Sequence, residues 1–153
     1  MSSADVEKYL QKITQPACFG PGEWYCLYLL ALDANNYTKK MQYIHNVEVI
    51  LKGTLCEECK RDSLKYLQEH PLTKYWGLIV NGEDIGMFYW SVDFHNWVNE
   101  KLGKPKISRN IAYQFYKNPG DFICKEGCGD KESVVEPVSR PNETKKVFGF
   151  FPL

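Results

Sequence analysis

Apolar residues recur along most of this chain with the period of a helix rather than a strand. Val6, Tyr9, Leu10 and Ile13 mark a short amphipathic segment over 5–15, expected to pack on the body. Pro16 to Gly22 reads as a break, and Gly20-Pro21-Gly22-Glu23 as a helix start. The next helix is predicted over Pro21 to Ala34, with Trp24, Leu27, Tyr28, Ala31 and Leu32 on one face. Cys26, Leu29 and Leu30 make the opposite side apolar too, which predicts wide burial. A third helix is expected from Lys39 to Lys52, capped by Thr38 and stopped at Gly53, with Met41, Ile44, Val47, Ile50 and Leu51 inward and His45 at the surface. Another helix starts at Cys56. Tyr75 to Val80 is a short apolar run before Asn81-Gly82; with no partner strand evident, 70–84 reads as a connection. From about Ile85, Phe88, Val92, His95, Asn99 and Leu102 fall on one helical stripe, which Gly103 ends and Pro105 cannot continue. A last helix spans about Ser108 to Lys117, with Ile111, Phe115 and Tyr116 inward. Beyond Pro119 the periodicity fades into a tail rich in Gly and Pro, which Phe148, Phe150, Phe151 and Leu153 are expected to dock.

Composition narrows the class. The 153 residues suit one domain, at 44% hydrophobic and 25% charged. Nineteen basic and nineteen acidic residues cancel, so no general field draws the chain to nucleic acid or an anionic membrane. The polar, acidic opening Met1-Ser2-Ser3-Ala4-Asp5-Val6-Glu7 lacks the pattern of a signal peptide. No stretch approaches the roughly 18 apolar residues of a membrane span. The expectation is a cytoplasmic protein, in which the Asn142-Glu143-Thr144 sequon is chance and six cysteines point to metal binding or redox chemistry.

Two features carry candidate chemistry. Cys56 and Cys59 lie on one side of a first helical turn, close enough to pair, where unpaired backbone N–H groups favour a thiolate. Lys60 and Arg61 add to that stabilisation; Glu57 and Glu58 oppose it. A lone C-x-x-C also fits a zinc site, and with Cys124 and Cys128 it would make four thiolate ligands of a helical interaction module. Cys124 and Cys128 also suit a pair with each other, or one of them with Cys18, while Cys26 reads as a buried apolar residue. The second feature is the stripe itself. His95 and Asn99 sit among apolar neighbours, and an unpaired buried polar group costs about 1–3 kcal/mol, so backbone or a bound ligand must satisfy them.

The stretch from His95 to Pro105 resembles the H-N-x-V-N-x-x-L-G-K-P signature of the Erv/ALR family of FAD-linked sulfhydryl oxidases, matching at His95, Asn96, Val98, Asn99, Leu102, Gly103, Lys104 and Pro105. Gly20-Pro21-x-x-Trp24 is similar to the first bundle helix of the short, viral-type members, and the resemblance covers about Gly20 to Tyr116. It implies an all-α fold, a four-helix bundle holding FAD, with an additional short helix and an irregular tail. The implied domains are an extension 1–19, an oxidase domain 20–117 and a tail 118–153. Cys56 would receive the substrate thiol and Cys59 would face the flavin. The cofactor would be held by Gly20, Trp24, Tyr28, His95, Asn96, Val98, Asn99, Lys101, Leu102, Lys104 and Tyr116. The family has His four residues after the Trp; Tyr28 stands there, able to stack and hydrogen-bond but without an imidazole. The resemblance also implies thiol-containing protein substrates or a small redox relay protein, O2 as acceptor, H2O2 as product, no metal, and a homodimer through the first bundle helices. Cys124 and Cys128 would be a shuttle or a structural disulfide.

Overall fold

The computed structural model describes residues 2–13 and 15–118. Helices α1 (Ser3–Ile13), α2 (Pro16–Asp33), α3 (Tyr37–Gly53) and α4 (Glu57–Glu69) are followed by a 3-10 turn, Leu72–Tyr75. The strands β1 (Ile79–Val80) and β2 (Glu83–Asp84) come next, then α5 (Gly86–Lys101) and α6 (Arg109–Lys117). The architecture is all-α: α2 to α5 form the bundle and α6 is the additional short helix.

Helix α5 is the axis. Met87, Phe88, Trp90, Ser91, Val92 and Phe94 are almost wholly buried, so over its first nine residues only Asp93 is partly exposed. Helices α2 and α6 and the 3-10 turn pack on it, while α3 packs on α2 and α4. Helix α4 reaches α5 through Tyr66, whose ring lies 5.0 Å from those of Phe94 and Trp97. The indole of Trp90 donates to the carbonyl of His70 at 2.7 Å, satisfying the one polar atom that this ring brings into the core.

Several local expectations change. Pro16 to Gly22 is not a break but the first turns of α2, because Pro16 occupies the first helical position, where its fixed φ helps and its missing N–H has no helical partner to lose. Pro21 lies within the helix and merely cannot donate to the carbonyl of Ala17. The cap of α3 is Asn36, whose side chain accepts from the Lys39 N–H at 3.1 Å; Thr38 is already helical. The buried face of α3 is turned toward Lys40, Tyr43, Val47 and Leu51, leaving Met41 exposed. His45 is exposed. Helix α1 meets α2, yet Val6, Tyr9 and Leu10 stay in solvent instead of packing on the body. Leu102, 62% exposed, falls off the stripe because the chain turns at Gly103, φ +65°. In α6 the inward residues are Ala112 and Tyr113, with Phe115 and Tyr116 half-buried, while Ile111 faces water.

The connection before α5 contains a hairpin. Val80 pairs with Glu83 and Ile79 with Asp84, and both turn residues have positive φ, Asn81 at 52° and Gly82 at 79°, the turn that Asn-Gly favours. Its partner strand is polar and two residues long, which left no periodic signal. The hairpin is pinned from both sides. Buried Lys40 donates to the Trp76 carbonyl at 2.5 Å and pairs with Asp84, while Glu83 accepts from Tyr113 at 2.5 Å and pairs with Lys117.

Gly86 opens α5 against the 3-10 turn, and a Cβ there would lie 1.8 Å from the carbonyl oxygen of Tyr75. Gly86→Ala therefore forces the turn off α5 and is expected to cost about 3 kcal/mol. That corresponds to a fall of about 10 °C in Tm by calorimetry. An unchanged Tm would refute the close approach.

Candidate active site

Helix α4 begins at the cysteine pair. Cys56 is its N-cap and Cys59 its third residue, which brings their Cα atoms to 5.2 Å, and the two are joined as a disulfide. The Cys56 sulfur accepts from the Cys59 N–H at 3.2 Å, so the sulfurs lie in the field of the helix N-terminus. Both cysteines are half-buried. Lys60 is drawn to Glu57 at 2.7 Å, so each offsets the other's effect on the sulfurs. The disulfide takes two of the thiolates that a four-cysteine zinc site would need. Among the described residues no group of three or more His, Cys, Asp or Glu is placed to hold a metal. Cys124 and Cys128 lie outside the described residues. Cys18 and Cys26 are free and exposed, so Cys26 is not the buried apolar residue expected.

The predicted polar pair of α5 is buried, His95 and Asn99 each at 4% exposure. Helix α2 supplies the surroundings of His95. The Trp24 indole stacks on the imidazole with centroids 4.0 Å apart and planes 8° from parallel, and the Tyr28 hydroxyl lies 3.0 Å from Nδ1. Tyr116, from α6, stacks on Tyr28 at 4.6 Å, so three helices meet around one imidazole. Burial, with a smaller effect from the Lys104 cation, pushes the His95 pKa down to about 4, and the ring is neutral at pH 7. Burial raises the Tyr28 phenol well above its ordinary range, and the phenol keeps its proton. Asn99 makes no side-chain hydrogen bond among the described residues, although its carbonyl accepts from the Lys104 N–H at 2.7 Å in the turn that closes α5.

The other predicted cofactor residues divide by what they touch. The Asn96 amide is spent on the main chain of Ile107, donating to its carbonyl at 2.8 Å and accepting from its N–H at 2.9 Å, which folds the segment after Gly103 back along α5. Val98 packs half-buried against the core. Lys101 pairs with Asp62 and lies over Trp97 at 4.9 Å, tying the end of α5 to the helix that carries the disulfide. Lys104 is exposed near the same end. Gly20 is half-buried in α2, and a Cβ there would meet nothing within 4 Å.

Sequence reasoning missed the residues that fasten α6. Asp93 accepts from Tyr75 at 2.5 Å and from both the Nε (2.8 Å) and Nη2 (2.5 Å) atoms of Arg109. This holds the helix of Tyr116 against α5. No local pattern marks a pair sixteen residues apart.

The exposed side of α2 also differs from expectation. Tyr25, Leu29 and Leu30 are 46%, 43% and 38% exposed, so the second apolar face is left partly open by the described residues.

Comparison with known proteins gives concordant results. The Erv1 / Alr family model matches residues 21–118. A protein described as an FAD-linked sulfhydryl oxidase from African swine fever virus, isolate Pig/Kenya/KEN-50/1950, is 35% identical over 103 residues, 65% of this chain and 77% of the relative. The protein of the same description from isolate Warthog/Namibia/Wart80/1980 is 34% identical over the same length and shares of the two chains.

Proposed function

This chain belongs to the Erv1/Alr family, and from that premise we propose that Cys56 and Cys59 are the reaction centre and that Trp24, Tyr28, His95, Asn99 and Tyr116 hold the cofactor. The protein is an FAD-linked sulfhydryl oxidase, a flavin-dependent enzyme that uses thiols as reductant and O2 as acceptor. The observation that carries the residue assignment is the joining of the two sites. The disulfide-bearing helix is locked to α5 by Tyr66 and the Asp62–Lys101 pair, one or two turns from His95 and Asn99.

The residues suit a flavin adenine dinucleotide. Asn99 offers a buried amide without a side-chain hydrogen bond among the described residues, Trp24 and Tyr116 offer flat faces, and the exposed Lys104 brings a cation that would attract a phosphate. In the reaction a substrate thiolate attacks the Cys56 sulfur, the Cys56–Cys59 bond breaks, and Cys59 leaves as a thiolate stabilised by the first turn of α4. A second substrate thiolate attacks the substrate sulfur of the mixed disulfide, forming the substrate disulfide and releasing Cys56. The pair then holds two electrons taken from two thiols. Bound FAD would supply the acceptor for these two electrons, with oxygen as the final oxidant and hydrogen peroxide as its product. Purified protein is expected to be yellow and to consume oxygen with dithiothreitol; colourless protein with no uptake would reject the reading.

Three finer points belong to this proposal. The exposed Tyr25, Leu29 and Leu30 of α2 support a homodimer through that helix, since a neighbouring copy would cover them. Sedimentation equilibrium showing monomer alone at micromolar concentration would remove it. The substrates are protein thiols or a small relay protein, with Cys124 and Cys128 as a shuttle or a structural pair. The compartment is the cytoplasm, on the analogy of viral relatives, and fractionation placing the protein elsewhere would refute that.

A further inference from the structure

We propose that Glu23 is a positioning residue of the oxidase: through Thr54 it clasps the linker that ends in Cys56 to the helix that carries Trp24, and so fixes the disulfide relative to the cofactor site. The inference rests on the reading of Cys56 and Cys59 as the reaction centre.

Only Thr54 and Leu55 separate the end of α3 at Gly53 from Cys56, the N-cap of α4. Leu55 is 58% exposed, so its side chain holds little, whereas Thr54, at 4%, is the buried anchor of the linker. The Thr54 hydroxyl lies 3.2 and 3.4 Å from the two carboxyl oxygens of Glu23 and 3.2 Å from the carbonyl of Ile50. Glu23 stands well past the first turn of α2, so the field of the helix N-terminus does not account for an acid there. Among the described residues no cation pairs with it, and Thr54 is its partner. Burial raises its carboxyl above the ordinary value, and the Thr54 hydrogen bond offsets part of that rise.

One hydroxyl proton cannot serve both sides at once. With Glu23 ionised, the Thr54 hydroxyl donates to the carboxylate. With Glu23 protonated, its own O–H donates to the Thr54 Oγ, which donates onward to Ile50. The two side chains stay joined in either state, so the clasp survives gain or loss of the proton. Trp24 follows Glu23 directly and packs on Phe94 of α5 at 5.0 Å, which refers the linker to the bundle core. Farther along α4, Tyr66 and the Asp62–Lys101 pair hold that helix to α5, while Glu23 and Thr54 hold its start to α2. Passage of electrons from the Cys56 and Cys59 dithiol depends on that spacing; entry of a small thiol to the disulfide does not.

The test is the limiting rate of flavin bleaching by saturating dithiothreitol without oxygen, taken per bound flavin and well below the melting temperature, so that lost stability alone does not move it. Glu23→Ala and Thr54→Val are each expected to lower that rate about ten-fold, as a small misplacement of reacting groups does. The double variant is expected to fall no further, because both changes break one contact. The half-saturating dithiothreitol concentration and the ratio of flavin to protein absorbance are expected to match wild type. Glu23→Gln, whose amide can donate to Thr54 as the acid does, and Thr54→Ser, which keeps the hydroxyl, are expected to recover the rate. A wild-type rate in Glu23→Ala or Thr54→Val would overturn the proposal, and either variant decides this if the other fails to fold. Effects that multiply in the double variant, or a Glu23→Gln protein as slow as Glu23→Ala, would also overturn it. Wild-type protein that carries no flavin would instead reject the functional reading.

Discussion

Cys59→Ser is expected to abolish oxygen consumption with dithiothreitol, at least a thousand-fold on the scale of a lost nucleophile or leaving group, while the purified protein keeps its flavin absorbance. The two outcomes separate because the substitution replaces one sulfur by oxygen at the third position of α4 and touches none of Trp24, His95, Asn99 or Tyr116. Without Cys59 no Cys56–Cys59 bond exists for a substrate thiolate to break, and a serine oxygen can neither leave from sulfur nor hold the electron pair. Cys56→Ser is expected to be equally inactive. Oxygen electrode traces give the first readout and the ratio of flavin to protein absorbance the second. Wild-type turnover in either variant would remove the disulfide from the reaction.

His95→Ala is expected to lose FAD and stability together. The imidazole is stacked on Trp24 and hydrogen-bonded to Tyr28, so its removal opens a void where three helices meet and frees the indole that it held. A ligand that binds only the native state adds about 2.7 kcal/mol at a hundred-fold excess over Kd, a gain the variant forfeits. FAD titration should therefore raise the Tm of wild type and leave that of His95→Ala unmoved. Equal flavin content in the two proteins would place His95 outside the cofactor site.

The same residue gives the apo protein a pH signature. Its pKa falls from 6.5 to about 4 on folding, so between those values the unfolded chain binds the extra proton and the native state does not. Stability is then full above pH 6.5 and is lost as the pH falls through that window. From pH 7 to pH 5 the loss attributable to His95 is about 2 kcal/mol. His95→Ala flattens that part of the profile in urea melts at the two pH values. An unchanged slope would show that the depressed pKa belongs to another group.

The sequence made the polar pair legible because it breaks a periodic pattern. Phe88 and Val92 announce a buried stripe, and His95 and Asn99 continue it with groups that burial penalises, so each needs a partner. The cysteine pair was legible because three-residue spacing at a helix start brings the sulfurs together whatever surrounds them. Gly103 and Pro105 end α5 for equally local reasons, a left-handed backbone and a missing N–H.

What the sequence determined by itself is therefore the set of helices, the place of the disulfide and the identity of the buried polar residues, all products of spacing and backbone chemistry within a few turns. The tertiary structure decided which side of each helix is covered. Tyr25, Cys26, Leu29 and Leu30 are as apolar as the residues of the buried face of α2, yet α5 can cover only one side. It also chose the partners. Asp93 with Arg109, Lys40 with Asp84, Trp24 and Tyr28 with His95, and the backbone of Tyr75 against Gly86 join residues that no repeat links. Such pairs depend on how elements cross in space, and the crossing is fixed only when the whole core packs.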